Sequence, residues 1–163
     1  MGGPILGGVR VALALTVCVL VAGCGGGDDP EPAPEVAGDA DPADVEVIDE
    51  WSTALREGDV EGAAGYFRLP SRAENGVVIE IETAADAALF NASLPCGARL
   101  VEAESEGEFT TATFRLTERP GPGRCGSGTG ETAQTAFVIE DGKITEWRRV
   151  AIGGPEPAPG DTV

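Results

Sequence analysis

The residues of this chain that could do chemistry are few, and their spacing argues against most catalytic uses. None of its 163 residues is a histidine. That removes the commonest general base near neutral pH and the commonest metal ligand. Tyr66 is the one tyrosine. It serves either as a donor in a pocket or, in the commoner use, as an amphipathic residue packed at a helix end. Glu102, Glu104, Glu106 and Glu108 alternate along one stretch. They lack the mixed oxygen ligands and tight loop of a calcium site and read as a solvated face. Arg148 and Arg149 could grip an anion, yet adjacent strand positions point to opposite faces. Gly126-Ser-Gly-Thr-Gly130 has no following lysine and no helix behind it, so it is not a phosphate loop. Asn91-Ala92-Ser93 fits the glycosylation triplet, a pattern common by chance. These residues alone give no catalytic group, no metal site and no cofactor.

The balance of 11 basic against 28 acidic side chains leaves a net charge of −17. A chain this acidic does not bind nucleic acid by neutralising phosphates. An anionic membrane surface repels it as well.

Residues 11–22, just after Arg10, are uncharged and mostly apolar. A positive start, a short apolar core and small residues at a cut site make a signal peptide. The run stops at Gly23, short of the roughly 20 apolar residues that a membrane span needs. Leu20-Val21-Ala22-Gly23-Cys24 resembles the lipobox of bacterial lipoproteins. The resemblance implies that residues 1–23, Cys18 among them, are removed. Cys24 then becomes the first residue and carries a diacylglyceryl thioether, with an amide-linked chain such as palmitate as a further addition. Two acyl chains suffice for stable anchoring. The expected location is the extracytoplasmic face of the cell membrane, with the lipid on Cys24 as the contact.

After Cys24, the acidic proline-rich run Gly25–Ala40 has little to bury. Residues 24–40 are expected to be a disordered tether, about 50 Å long at the polyproline rise. Residues 153–163 have the same character and form a disordered tail. The folded domain is then 41–152.

Within it, Asp41-Pro42 opens a helix and Gly58 ends it, with Val45, Val47, Ile48, Trp51, Ala54 and Leu55 as its apolar stripe. Asp59 caps a second helix with Val60, Ala63, Ala64 and Phe67 inward, stopped at Leu69-Pro70. Asn75-Gly76 is a turn, followed by a strand over 77–82. Thr83 caps a third helix, 84–92, with Ala85, Ala88 and Leu89 inward. Strands are expected over 98–105 and 109–118, with Val101, Ala103, Ala112, Phe114 and Leu116 facing in. A glycine- and proline-rich loop, 120–130, leads to a hairpin of 132–139 and 143–150 that turns at Asp141-Gly142. Helices gathered on one side of an antiparallel sheet make an α+β fold.

The run from Trp51 through Gly58-Asp59 to Tyr66-Phe67 resembles the opening of the nuclear transport factor 2-like (SnoaL-like) superfamily. Phe137 to Trp147, with Asp141-Gly142 at its centre, resembles that family's last hairpin. The resemblance implies a cone: three N-terminal helices packed on a curved antiparallel sheet around a pocket. It implies a candidate pocket at Trp51, Tyr66, Glu74, Asp86, Phe90 and Phe114. The family's ketosteroid isomerases use a tyrosine, an aspartate base and a protonated aspartate. By alignment those positions fall on Trp51, near Asn75 and near Thr135, and none keeps the needed group. A shift of one residue offers Glu74 as a base. The Asp-Arg-Asp relay of the epoxide hydrolases cannot be assembled.

Export and the cone together imply a disulfide between Cys96 and Cys125, the two thiols left after lipidation. A redox or metal pair is disfavoured by the absence of Cys-x-x-Cys spacing and of histidine. The expected function is a membrane-anchored binding module, more a non-enzyme than an enzyme, taking an apolar small molecule or an envelope protein. The alternatives are a cyclase- or isomerase-type enzyme with a pocket carboxylate, and a structural accessory domain of an envelope complex. The family likeness also implies a homodimer.

Overall fold

Local capping and turn signals set most of the element boundaries. The structure, a computed structural model, describes residues 36–152. The expected signal peptide, Cys18, Cys24, most of the tether and the tail 153–163 lie outside the described residues.

Helix α1 is Pro42–Glu57. The Asp41 carboxylate accepts the Ala43 N–H at 2.9 Å, and Gly58 at φ 83° ends the helix. Its buried face is Ile48, Trp51, Ser52 and Leu55, while Val45, Val47 and Ala54 are only partly buried. Asp44 accepts the Thr110 hydroxyl at 2.6 Å, and Ser105 lies 3.0 Å from that hydroxyl. These bonds tie the start of the helix to the sheet.

Helix α2, Val60–Ala64, is capped by Asp59, which accepts the Gly62 N–H at 2.8 Å. It ends at Gly65, earlier than the expected stop at Leu69-Pro70. Phe67 instead opens strand β1, Phe67–Glu74. Phe67 pairs with Ile144, and the register then shifts before Arg72. Pro70 lies in that irregularity, where its missing N–H costs no ladder bond.

Strand β2 is Val78–Ile81 and helix α3 is Ala84–Ser93, opened by a capping box between Thr83 and Asp86. Strands β3, Gly97–Glu106, β4, Phe109–Thr117, β5, Thr132–Glu140, and β6, Lys143–Val150, follow. Asp141 and Gly142 both have positive φ, 51° and 70°, as a type I′ hairpin turn requires. The curved sheet runs β2-β1-β6-β5-β4-β3 and is antiparallel except where β1 meets β6. The fold is α+β, as expected.

Two expectations about facing and one about the tether are corrected. In α3, Ala87, Phe90 and Asn91 face the core, while Leu89 is 72% exposed and Ala85 is exposed. That helix is alanine-rich on every side, so periodicity hardly distinguishes its faces. In β3 a bulge falls between Leu100 and Glu102. It turns Val101 outward and brings Ala98, Leu100 and Ala103 inward, because one extra residue shifts the side-chain phase. Lastly, the end of the expected tether is ordered. Ala37 exchanges backbone bonds with Val101 and Ala103 at 3.1 and 2.9 Å, and Ala40 donates to Ala103 at 3.3 Å. Gly38, at φ 107°, lies so close that a Cβ would sit 1.9 Å from the Ala103 oxygen.

The bulge gives a direct test in urea unfolding. Leu100→Ala is expected to cost about 2–5 kcal/mol, as for a buried leucine, while Val101→Ala stays within about 0.5 kcal/mol. Equal losses at the two positions would contradict the phase described.

Candidate functional site

The place where a cone would hold a pocket is filled by side chains. Trp51, Phe114 and Phe137 pack edge to face, with centroids 5.5 to 6.2 Å apart. Phe90 continues the cluster to Phe67 at 5.8 Å and Trp147 at 5.1 Å. All six rings are at most 5% exposed. Edge-to-face rings at these distances are a favoured packing. The Trp51 indole donates to Asn91 Oδ1 at 2.9 Å, and Asn91 Nδ2 donates to the Ala87 carbonyl at 2.8 Å. Asn91 is fully buried, so its triplet is not an accessible glycan acceptor.

Trp51, Phe90 and Phe114 are therefore brought together, but as core. The polar candidates lie elsewhere. Tyr66 is half-buried between α2 and β1, with the Lys143 ammonium 5.9 Å from its ring centre. Burial first, then the Glu50 carboxylate, raise its phenol above the ordinary value. Glu74 sits 3.6 Å from the Arg148 guanidinium. Its neighbour Ala73 is the residue that faces the core, so Glu74 is on the outer face and the one-residue shift that would make it a base does not hold. Asp86 is occupied by the capping box. Hydrogen bonds from the Thr83 hydroxyl, then its backbone N–H, hold that carboxyl below the usual range, opposite to the shift that a neutral pocket acid needs.

Of the positions aligned with the isomerase groups, Trp51 and Thr135 are buried, whereas Asn75 is exposed in the β1–β2 turn. Asn75 borders a depression of about 620 Å³ at the end of the sheet, with Leu116, Glu131, Ala133, Arg149 and Ile152. A smaller depression, about 230 Å³, lies between α2, β1 and α3 over Ala64, Phe67, Leu69 and Ala88. No cluster of three metal-binding side chains occurs among the described residues. No described helix is long and apolar enough to cross a membrane.

Cys96 and Cys125 are joined by a disulfide, with Cα atoms 4.5 Å apart. The bond fastens the loop between β4 and β5 to the segment after α3. Glu118 organises the same loop, accepting from the Thr129 hydroxyl at 2.9 Å and from the Gly126 and Cys125 N–H groups at 3.0 and 3.3 Å. These bonds, Thr129 first, hold its carboxyl below the usual range. Arg119 is 9% exposed, and its Nη2 donates to the carbonyls of Asn91, Ala92 and Leu94. Sequence reasoning missed both Asn91 and Arg119. A buried partner for Trp51, and a cation for the negative end of α3, were the signals to seek.

Two outcomes follow. Asn91→Ala leaves the buried Trp51 N–H without its acceptor and should cost about 1–3 kcal/mol in denaturant unfolding. A Trp51→Phe/Asn91→Leu double variant should recover part of that loss. Because the folded Glu118 carboxyl titrates below its unfolded value, its contribution is present above the unfolded pKa and disappears as pH falls through the folded one. The Gly126 amide should therefore titrate with a midpoint below that of an ordinary glutamate, measured by NMR, and lose that titration in Glu118→Gln.

No family model and no curated protein matches this sequence. Solved structures match it in fold. A provisionally assigned polyketide cyclase from Sinorhizobium meliloti superposes with a TM-score of 0.52 at 15% identity, covering 64% of this chain and 94% of its own. A nuclear transport factor 2-like protein of unknown function from Cytophaga hutchinsonii gives 0.51 at 12% identity, covering 65% and 87%. A de novo designed protein with a curved β-sheet gives 0.50 at 14% identity, covering 68% and 86%. At such identities the likeness is one of fold, and this chain has the architecture of nuclear transport factor 2-like proteins: helices packed against a curved, six-stranded sheet.

Proposed function

We propose that the protein is an extracytoplasmic lipoprotein, anchored through Cys24, whose domain binds a ligand or partner and performs no catalysis. One observation carries the non-catalytic part. Six aromatic rings occupy the interior, and the hydrogen-bonding group that Trp51 presents there is already bound to Asn91. A pocket enzyme of this fold needs room for substrate beside a carboxylate of raised pKa. Glu74 is ion-paired on the outer face, and Asp86 is held ionised at a helix start. Neither arrangement suits proton abstraction in the interior. The anchor part rests on Val21-Ala22-Gly23-Cys24, which would attach the domain through acyl chains while its negative charge keeps it off the bilayer.

Cys24→Ala should abolish incorporation of radiolabelled fatty acid and block lipoprotein processing; labelling equal to wild type would sink the anchor. The purified protein should give no turnover of a 3-oxo-Δ5-steroid or a simple epoxide above background. Turnover that Glu74→Gln abolishes would establish the enzyme reading instead.

A further inference from the structure

We propose that the depression at the end of the sheet binds a small amphipathic molecule bearing a single carboxylate, with Arg149 as its anion receptor. The proposal rests on the binding-module reading and names the ligand class for it. The volume, about 620 Å³, lies within the roughly 300–1,000 Å³ of small-molecule sites. One part of the lining is apolar: Leu116 from the end of β4, Ala133 from the start of β5, and Ile152. Leu116 packs against the core, which fixes that part of the wall. The loop opposite is also braced, because Gly128 lies against both sulfurs of the Cys96–Cys125 bond and against Leu116.

The polar part is a guanidinium and an amide. Strand alternation separates the two adjacent arginines. Arg148 is ion-paired with Glu74 and Glu146 on the outer face, while Arg149, in register with Thr135, lines the depression. Arg68, Arg72 and Arg148 each meet a carboxylate, and Arg119 meets three carbonyls. Arg149, like Arg99 and Arg124, makes no hydrogen bond or ion pair among the described residues, in a chain with 28 acidic side chains, and of these three it is the one that lines the depression. A guanidinium presents a planar fork that matches a carboxylate with two parallel bonds. The Asn75 side-chain amide borders the same space and can donate a third bond. Glu131 on the rim and the net charge of −17 select against a second negative charge. A dianionic phosphate is therefore disfavoured, and a monocarboxylate with an aliphatic body satisfies both walls.

The test is an NMR titration of the full mature chain with octanoate and, as a neutral counterpart, 1-octanol. Octanoate should shift the amides of Thr132, Ala133 and Val150, with octanol weaker by at least about tenfold, the loss of one charge-assisted contact. Arg149→Gln, at an exposed position, should weaken octanoate by a similar factor and leave octanol unchanged. Shifts at these amides that survive Arg149→Gln undiminished would overturn the carboxylate assignment while leaving the binding-module reading standing. Absence of any shift there at millimolar octanoate would overturn the proposal outright. Steroid or epoxide turnover would instead count against the binding-module reading, so the two failures are separable.

Discussion

The hydrogen bond from Trp51 to Asn91 fixes how the helices meet the sheet. It crosses the core from α1 to α3, and an amide buried there without its partner would be costly. Holding that bond sets the rotation of both helices. Phe90, beside Asn91, must then face the rings of Phe67 and Trp147, and Leu89 must face solvent. Trp51 in turn is flanked by Phe114 and Phe137 from the sheet. The interior is apolar apart from such satisfied groups and a few orphans, among them the Trp147 N–H and the Ser71 hydroxyl, which have no partner among the described residues.

A second set of constraints acts at the far end of α3. Arg119 supplies positive charge to the carbonyls at the end of α3, those of Asn91 and Ala92 in its last turn and of Leu94 just after it, where a cation is most favourable. Burial pulls its pKa down, but a guanidinium stays charged in a protein. Its neighbour Glu118 faces the other way and gathers the loop through Thr129, Gly126 and Cys125. Two adjacent residues of opposite charge thus hold a helix end and a glycine-rich loop, and the disulfide joins those two parts covalently. A loop of such composition has little apolar surface with which to order itself.

What the sequence disclosed was local. Asp41, Asp59 and Thr83 announce their helices through side chains that reach two or three residues along the chain. Asp141-Gly142 announces its hairpin through backbone conformation alone. The errors arose where a distant partner decides. Phe67 is a strand residue because Ile144 pairs with it, and nothing near Phe67 says so. Val101 turns outward because of a bulge in the pairing of β3 with β4. At the site, Trp51, Phe90 and Phe114 are legible in the sequence as bulky apolar side chains. Whether they lined a cavity or filled it depended on Phe67, Phe137 and Trp147 arriving from three strands. Glu74 and Ala73 differ by one position, and in a strand that is the difference between the two faces.

Residues 36–40 carry a consequence for behaviour at high concentration. An unpaired strand offers its backbone groups to any neighbouring chain. The sheet has two margins, and β3, ten residues long, is the more hazardous. Its own upstream segment occupies the backbone of Val101 and Ala103, and the bulge breaks the regular edge beside it. The other margin, β2, is only four residues long. Neither border offers a long regular template for intermolecular β-assembly, so the exposed valines at 77 and 78 can be carried without an extended edge on which fibrils could grow.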